Sequence, residues 1–553
     1  MNEQEATLPA RLRRPVTSPG RTARRVMNVA ALSALLLPLG PVATANPATG
    51  STTCARIADN LVSQHRVQSA QSKIVPASGQ LPAYCQVDLV AQRAINVRVS
   101  LPLSAADGGT AGAVTGAWNG RVLNMGGGGY AGTVPDVSTA LRRGEVGSAT
   151  DTGHSRAWCN ATNPSTGLTN AQPDCGLAGG GFVLDPAGKL VTSQVEDFIT
   201  RSLHQQTLWA LDLTKRYYGR PALQNYWVGA STGGRQGWEM AQKYGDLYDG
   251  FLVGYPAINW NQFIVNEAWP AVVVNDLLGE AGLPPAKSDA ANAAAIAACD
   301  ADDGVVDQTI AEPRRCGFDA SEVAGLSPAQ AEAVNLIWDG PTTADGGRLW
   351  GGITRGTTFN VLLPGGNSMG PLIETYLRNW LYQDPNFDWR EKLTMKNFAE
   401  AVELSYRKFS TTASTDSTDL SRVRDSGSKI IFYHGTSDPL IVPFGSYNYQ
   451  QRLFDRYGVQ QTRSFVRTFY FPGVSHTDPV LTGDAPAQDQ MLDALQNWAE
   501  GGDAPKSFVQ KGSTGRTRTI CAYPDVAVAG GDKQSCRTRT KVPADLAAAS
   551  RTS

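Results

Sequence analysis

The segment Gly229-Ala230-Ser231-Thr232-Gly233 constrains the fold of this chain more than any other feature. It follows the apolar run NYWV directly and precedes GRQGWEMAQKYG, so it lies at a turn between a predicted strand and a predicted helix. Such a turn crowds the backbone around the serine, and glycines at its ends avoid side-chain clashes. The pattern predicts a nucleophilic Ser231 raised above a sheet edge, with the helix N-terminus directed at the reacting carbonyl. A structural serine in a glycine-rich turn is the alternative.

Short apolar runs alternate with helical runs through much of the chain. Strands are predicted over NVRVSLPL (96–103), GRVLNM (120–125), QNYWVGAS (224–231), KIIFYHG (429–435) and RTFYFPG (467–473), and an amphipathic helix over EDFITRSLHQQTLWALDLTKRYYG. This β/α alternation predicts an α/β fold with a mostly parallel sheet. Between about 257 and 424 the alternation is lost, which indicates a large insertion over the sheet.

The N-terminal segment has the organisation of a secretory signal peptide. Arginines precede the apolar run VMNVAALSALLLPLG, and Ala43-Thr44-Ala45 supplies a small-residue cleavage site. This apolar run is shorter than the roughly 20 residues that a membrane-spanning helix needs. We expect residues 1–45 to be removed and the mature protein to be soluble, not membrane-bound, and secreted or periplasmic. An N-terminal helix or anchor is the alternative.

Composition excludes two classes of protein. Lys and Arg total 49 against 50 Asp and Glu, a formal net charge of −1, and no polybasic tract is present. Little positive charge is therefore available to neutralise a phosphate backbone, which argues against nucleic acid as a partner. With 41% hydrophobic residues and 12 Trp the chain can bury a large core, which argues against disorder. A large globular enzyme is the expected class.

The even number of cysteines predicts local disulfides, because export would place the chain in an oxidising compartment. There are eight, and no zinc-type spacing occurs among them. Sequence neighbours pair as Cys54–Cys85, Cys159–Cys175, Cys299–Cys316 and Cys521–Cys536. Buried free thiols are the alternative.

A serine nucleophile needs a general base, and the chain offers five histidines: His65, His154, His204, His434 and His476. His476 is the best candidate, because it lies in FPGVSHTDP just past a late predicted strand, from which a loop can reach back over the strand ends. His204 lies inside a predicted helix. His434 lies at a strand end and is interpreted as a packing residue.

The base in turn needs an acid to orient it. Asp438, in YHGTSDPLIVP, follows the penultimate predicted strand and gives the chain order Ser, Asp, His that is typical of α/β-hydrolases. An ordinary Asp-Pro turn is the alternative. Asp478 is the rival acid, but it is only two residues from His476 and cannot easily orient that imidazole. The sequence therefore predicts an α/β-hydrolase fold with a large inserted lid domain.

The developing oxyanion needs two N–H donors. The backbone N–H of Thr232, next to the nucleophile, is one candidate. The other is expected from the run Gly126–Gly129, where missing side chains permit close approach, with Gly128 and Gly129 favoured. A flexible turn is the alternative. A phosphate-binding loop is disfavoured because no Lys-Ser/Thr follows.

A second cluster of polar residues lies in CDADDGVVDQT. The side chains of Asp300, Asp303 and Asp307 and the main-chain carbonyls of Val305 and Thr309 offer about five oxygens to a hard cation, the ligand type that Ca²⁺ prefers. The loop is not an EF-hand, since no Glu closes it. An acidic surface turn is the alternative.

Several blocks resemble the tannase and feruloyl esterase family, which also contains mono(hydroxyethyl) terephthalate hydrolases. They include GASTGGRQGWEMAQKYGDLYDGFLVGYPA, WNGRVLNMGGGGYAG, ATDTGH, CDADDGVVDQTI, YLRNWLYQDPNFDW, YHGTSDPLIVP and GVSHTDP, in order between about Cys54 and Cys536. The resemblance implies that Ser231, Asp438 and His476 form the triad. It also implies that the acidic loop binds a structural calcium ion in a lid domain.

One departure from the family is informative. The family usually carries a Cys just before the nucleophile and another just after the histidine, joined as a disulfide. Here those positions are Ala230 and Thr477. Because both cysteines are absent, neither half is left as an unpaired thiol. The geometry of the triad must then depend on packing and hydrogen bonds.

The sequence thus predicts a signal peptide (1–45), an α/β-hydrolase core in two parts (46–256 and 425–553) and a lid domain (257–424). The expected function is a secreted serine carboxylic ester hydrolase for esters of aromatic acids, of feruloyl, galloyl or terephthalate half-ester type, with no organic cofactor. The lid's Trp338, Trp350, Trp380, Phe387 and Trp389 suit an aromatic acyl group, although a lid core needs such residues too, and Arg348, Arg355, Arg378 and Arg407 are candidates for a substrate carboxylate or phenolate. Alternatives are an esterase or acyltransferase for non-aromatic acyl groups, a serine peptidase, and a secreted binding module without catalysis.

Overall fold

The structure is a computed structural model that describes seven stretches of the chain: residues 52–63, 67–110, 116–155, 179–185, 187–483, 485–528 and 535–538. All of them belong to one unit, Pro47–Ser553. The predicted signal peptide, His65 and the predicted Cys159–Cys175 disulfide lie outside the described residues. In the part of the chain that is described, no helix combines the length and the apolar character that crossing a membrane requires.

The described residues form a central sheet of nine strands in the order β1-β2-β3-β5-β4-β6-β7-β8-β9. The strands are β1 Ser69–Val75, β2 Tyr84–Val90, β3 Asn96–Pro102, β4 Arg121–Met125, β5 Val146–Thr150, β6 Gln224–Ala230, β7 Gly250–Gly254, β8 Lys429–Gly435 and β9 Val466–Phe471. Strands β4 to β9 are mutually parallel, whereas β1, β2 and β3 pair antiparallel at one edge. The predicted α/β-hydrolase class with a mostly parallel sheet is confirmed.

The central strands are buried on both faces, which explains their nearly continuous apolar sequences. In β6, Tyr226 and Trp227 are fully buried although they point to opposite faces, and Phe251 and Leu252 do the same in β7. All five predicted strands are found. The strands β1, β2, β5 and β7 were not predicted.

Helices surround the sheet: α1 Asp59–Ser63, α2 Ser138–Arg142, α3 Thr192–Glu196, α4 Ser202–Tyr218, α5 Thr232–Tyr244, α6 Trp260–Asn266, α7 Trp269–Leu278, α8 Pro285–Cys299, α9 Pro328–Asp339, α10 Pro371–Thr375, α11 Trp389–Lys392, α12 Phe398–Phe409, α13 Ser421–Ser426, α14 Phe444–Tyr457, α15 Val459–Phe465 and α16 Ala487–Ala499. A π-helical turn, Asp197–Arg201, joins α3 to α4. The predicted amphipathic helix is therefore one continuous helical stretch containing a π-turn.

The segment between β7 and β8 contributes no strand to the sheet in the described structure, and it contains α6 to α13. All five of the aromatic residues singled out from the sequence are buried there, in one cluster of apolar side chains. Their abundance is thus explained by the packing of this segment. The boundaries of the predicted lid domain, 257–424, stay a prediction.

Two hairpins follow the sheet, one of β10 Ser507–Lys511 with β11 Thr517–Cys521 and one of β12 Asp525–Val528 with β13 Ser535–Thr538. Three of the four predicted disulfides are present: Cys54–Cys85, Cys299–Cys316 and Cys521–Cys536. The last one joins the two hairpins.

Candidate active site

Ser231 lies at the turn between β6 and α5, in a backbone conformation that residues other than glycine rarely adopt. Its φ is 59° and its ψ is −127°. A β-carbon added at Gly229 would lie 2.3 Å from the carbonyl oxygen of Gly233. Only glycine therefore fits at position 229. Holding a serine in such a conformation costs about 1–3 kcal/mol, which the surrounding structure must offset.

The structure brings the three predicted triad residues together at the carboxyl ends of the parallel strands. His476 Nε2 lies 3.0 Å from Ser231 Oγ, and His476 Nδ1 lies 2.8 Å from Asp438 Oδ2. Ser231 follows β6, Asp438 follows β8 and His476 follows β9. The three side chains thus form one hydrogen-bonded line, the arrangement by which a histidine takes a proton from a serine.

Asp438 is a fully buried carboxylate with many donors around it. Its Oδ1 accepts the backbone N–H groups of Leu440 and Ile441, both at 2.9 Å. Its Oδ2 accepts from His476 and lies 3.3 Å from Nε2 of His434. Burial alone raises the pKa of this carboxyl, but the hydrogen bonds from His434 and His476 outweigh burial and hold the pKa below its usual value. Asp438 is therefore charged at neutral pH.

The glycine run after β4 packs against the first turn of α5. A β-carbon at Gly126 would lie 2.6 Å from the Cα of Gly233, so the two backbones touch. The N–H of Gly126 is bonded to Val228 O and the N–H of Gly127 to Gln236 Oε1. Gly128, in contrast, has open space at its β-carbon position, and Gly129 has a φ of 54°. Gly128 and Gly129 stay the candidates for the oxyanion donor, together with Thr232 at the start of α5.

The ATDTGH block fixes the loop that follows the glycine run. His154 Nε2 lies 2.9 Å from the carbonyl oxygen of Tyr130, and the N–H of Gly132 donates to Asp151 O. Asp151 itself accepts the N–H groups of Asn96 and Gly153, and burial raises its pKa to about 7. His154 is thus part of the scaffold of this loop.

The rival acid Asp478 does not contact His476 as the triad acid does. Instead, Tyr433 Oη donates to Asp478 Oδ1 at 2.5 Å. The ring of Tyr255 packs edge-on against the imidazole of His476, with the centroids 4.8 Å apart.

Glu267 is a further buried acid near Asp438, and burial, with the charge of Asp438, raises its pKa well above the usual value. This favours the neutral form of Glu267.

The remaining histidines have different surroundings. His204 lies in α4, as predicted, and stacks on Tyr244 with the ring centroids 3.9 Å apart. His434 is fully buried at the end of β8 and contacts Asp438, Ile441 and Ser446. The interpretation of His434 as packing alone missed its contact with the triad acid. The signal in the sequence was its spacing, four residues before Asp438 on the same strand end.

The acidic loop between α8 and Cys316 offers oxygen donors only, which fits the chemistry of Ca²⁺. Asp300 accepts three backbone N–H groups, those of Asp307, Gln308 and Thr309. Arg518 of β11 pairs with Asp303 at 3.0 Å and with Asp307 at 2.7 Å. In the described part of the chain, no three His, Cys, Asp or Glu side chains are arranged to hold a metal ion. An ion here would need main-chain carbonyls and carboxylates shared with Arg518.

Three of the four candidate arginines pair with acids of the segment between β7 and β8. Arg355 donates to Phe318 O and pairs with Asp339, Arg378 pairs with Glu374, and Arg407 pairs with Glu403 at 3.6 Å. Arg348 and Arg407 line a cavity of about 510 Å³, together with Gln262, Leu349, Ala399, Glu400, Val402, Glu403 and Tyr406. No triad residue lines that cavity.

A parallel sheet with a serine at a strand-turn-helix junction, and with acid and histidine on later strand ends, defines an α/β-hydrolase. A sequence model described as "Tannase and feruloyl esterase" matches residues 113–356 and 336–539. The chain therefore belongs to the tannase and feruloyl esterase family, and it is a carboxylic ester hydrolase.

Individual relatives agree with this assignment. The chain is 32% identical to a probable feruloyl esterase of Arthroderma benhamiae, over 76% of this chain and 79% of that protein. It is 28% identical to a mono(2-hydroxyethyl) terephthalate hydrolase of Piscinibacter sakaiensis, over 74% and 77%. Among solved structures, tannin acyl hydrolase from Aspergillus niger superposes with a TM-score of 0.71 at 21% identity, over 89% of this chain and 97% of that one. Feruloyl esterase B from Aspergillus oryzae has a TM-score of 0.69 at 22% identity, over 88% and 100%.

The hydrogen bond between Ser231 and His476 joins the end of β6, where Ala230 lies, to the loop that contains Thr477. We predict that Ala230→Cys combined with Thr477→Cys forms a disulfide and raises the melting temperature. A cross-link between residues so far apart in the sequence lowers the entropy of the unfolded chain, which raises the free energy of unfolding by about 2–4 kcal/mol. Thiol titration and a thermal melt, with and without reductant, measure both effects. Each single Cys variant is the control. Thiols that stay free under oxidising conditions would show that the two loops do not meet as described.

Proposed function

We propose that this chain is a secreted serine esterase that hydrolyses esters of aromatic acids through an acyl-enzyme. The observation that carries the proposal is the hydrogen-bonded line from Ser231 through His476 to the charged, buried Asp438. Secretion is supported by the signal-like N-terminus and by disulfides, which persist in oxidising compartments.

The mechanism follows from the three side chains. His476 Nε2 takes the proton of Ser231 as Oγ attacks the ester carbonyl, and Asp438 holds the imidazole in the tautomer that this transfer requires. The imidazolium then protonates the leaving alcohol. A water molecule, activated by the same histidine, releases the acid and restores the serine.

The negative charge that develops on the carbonyl oxygen needs donors that are already in place. We assign this role to the backbone N–H of Thr232 and to that of Gly128 or Gly129. Support comes from the close contact of the glycine run with α5, which places both segments beside the nucleophile. The N-terminus of α5 adds a favourable dipole at the same point.

The aromatic acyl group is supported by the names of the relatives. Feruloyl esters and mono(2-hydroxyethyl) terephthalate, named in two relatives, share an aromatic acid as the acyl part. Of the four candidate arginines, Arg355, Arg378 and Arg407 each pair with an acid of the segment between β7 and β8, whereas Arg348 has no such ion pair among the described residues and lines a cavity. We therefore favour Arg348 as the partner of a negatively charged substituent.

A steady-state panel on the purified mature protein tests the proposal. The substrates are methyl ferulate, methyl gallate, mono(2-hydroxyethyl) terephthalate and a short p-nitrophenyl ester. We expect turnover of at least one aromatic ester, and a loss of about 10⁴-fold or more in kcat for Ser231→Ala, because the nucleophile is removed.

The matched control is Ser513→Ala, an exposed serine in the turn between β10 and β11, which should leave kcat unchanged. Turnover of the p-nitrophenyl ester alone would retain the triad and reject the aromatic assignment. No Ser231-dependent turnover of any ester would contradict the mechanism and direct attention to amide substrates or acceptor alcohols other than water.

We further propose that the acidic loop binds a structural Ca²⁺ through Asp300, Asp303 and Asp307 and the carbonyls of Val305 and Thr309. Bound there, the ion would neutralise three carboxylates that Arg518 neutralises only in part. The Cys299–Cys316 disulfide and the N–H groups bonded to Asp300 already close this loop. The role is structural and takes no part in the chemistry at Ser231.

Chelation tests the calcium proposal. We expect about one calcium per chain by elemental analysis, and a lower melting temperature in EGTA that Ca²⁺ restores, since an ion present at 100 times its Kd contributes about 2.7 kcal/mol. Asp303→Asn should weaken both effects, whereas Asp302→Asn, an exposed neighbour outside the proposed ligand set, should not. The proposal would be refuted if the purified protein contained no calcium and its melting temperature did not change in EGTA.

A further inference from the structure

The triad acid has a second imidazole beside it. His434 is fully buried, and its Nε2 lies 2.8 Å from Ile441 O and 3.3 Å from Asp438 Oδ2. Both neighbours are acceptors, so Nε2 carries the hydrogen, which it donates to Ile441 O and shares with Asp438 Oδ2 at the longer distance. The other ring nitrogen, Nδ1, lies 2.7 Å from Ser446 Oγ, whose hydroxyl can donate to it. The contacts of the ring are thus satisfied with His434 neutral.

We infer that His434 is a positioning residue of the triad, which holds the carboxylate of Asp438 in the orientation and the charge state that His476 requires. The inference rests on the proposed function, because it assumes that Asp438 acts on His476. It assigns to His434 no contact with the substrate.

The geometry around Asp438 supports this role. One carboxylate oxygen is fixed by two backbone N–H groups from its own loop, those of Leu440 and Ile441. The other oxygen receives a donor from His476 and is approached by His434. Without His434, the oxygen that orients the catalytic imidazole would depend on His476 alone. Removing a donor from a buried carboxylate also leaves part of its charge unsatisfied.

His434 is in turn fixed from a different element. Ser446 lies in α14, and Ile441 lies in the loop between β8 and α14. The path Ser446, His434, Asp438, His476, Ser231 therefore links α14 and the ends of β8, β9 and β6 through consecutive side chains. Such support behind a catalytic group is what fixes its orientation.

Several other titratable groups face this path and bear on its pH dependence. Glu267 and Tyr255 interact electrostatically with Asp438, and burial is the main cause that raises the pKa of each. Asp478 is bonded to Tyr433 and Tyr255, and burial raises its pKa as well. These groups are common to all variants proposed below, so a difference among the variants reports on His434.

Two substitutions separate the hydrogen bond from the volume of the ring. His434→Leu removes the donor, whereas His434→Gln retains an amide N–H that can reach the same oxygen. We expect His434→Leu to lower kcat about 3- to 10-fold, the effect of losing one long, shared hydrogen bond to the triad acid, with little change in KM. His434→Gln should retain most of the native kcat. The probe is the short p-nitrophenyl ester.

The pH profile gives a readout that a purely structural residue would not change. A carboxylate that has lost a donor stabilises the imidazolium of His476 more strongly, so the acid limb of kcat/KM should move to higher pH in His434→Leu. Ser446→Ala, a small change one step further along the path, should move the limb in the same direction by less. If His434→Leu does not fold, Ser446→Ala provides the test of the pH profile.

The outcomes distinguish this inference from the proposed function. If Ser231→Ala and Asp438→Asn leave turnover unchanged, the triad itself is refuted. If those two variants lose activity while folded His434→Leu keeps the native kcat and acid limb and only melts earlier, His434 is a packing residue and this inference alone is overturned. Equal losses in His434→Gln and His434→Leu would also overturn it, because the donor would then not matter.

Discussion

The close approach of three backbone segments around Ser231 is the constraint on which the active site depends. Gly229 and Gly233 touch within one turn, and Gly233 touches Gly126 from the neighbouring strand end. A β-carbon at Gly229 or at Gly126 would separate segments that must stay in contact. The strained φ of Ser231 is maintained because β6 and α5 are both buried and cannot shift to relieve it. Nucleophile and oxyanion candidates are thus placed by backbone contact.

The second requirement of the active site is that Asp438, which accepts a hydrogen bond from His476, stays ionised. A buried carboxylate is costly unless it is fully hydrogen-bonded. Asp438 meets this requirement through backbone N–H groups of its own loop and through imidazoles on two different strand ends. Positions 230 and 477 carry Ala and Thr, so no disulfide joins them, and the triad is held by this network and by packing.

The segment between β7 and β8 shows where reasoning from composition is limited. Its aromatic residues suggested a pocket for a ring, but Trp380 and Trp389 are almost fully buried in an apolar cluster, in which Trp380 packs against Tyr130 and Phe182 from outside this segment. Composition cannot tell a packing tryptophan from one that contacts a substrate, because both need an apolar environment. The arginines pose the same problem: only the ion pairs of Arg355, Arg378 and Arg407 show that these three are already engaged.

The sequence by itself determined the α/β class, the strand-turn-helix at Ser231 and the pairing of three disulfides, because each depends on neighbours along the chain. It also ordered Asp438 and His476 correctly after two late strands. Tertiary structure alone decided that Tyr433 donates to Asp478 and that Arg518 pairs with the acidic loop. These contacts join residues whose approach is set by strand order and helix packing. Local sequence patterns carry no record of such distances.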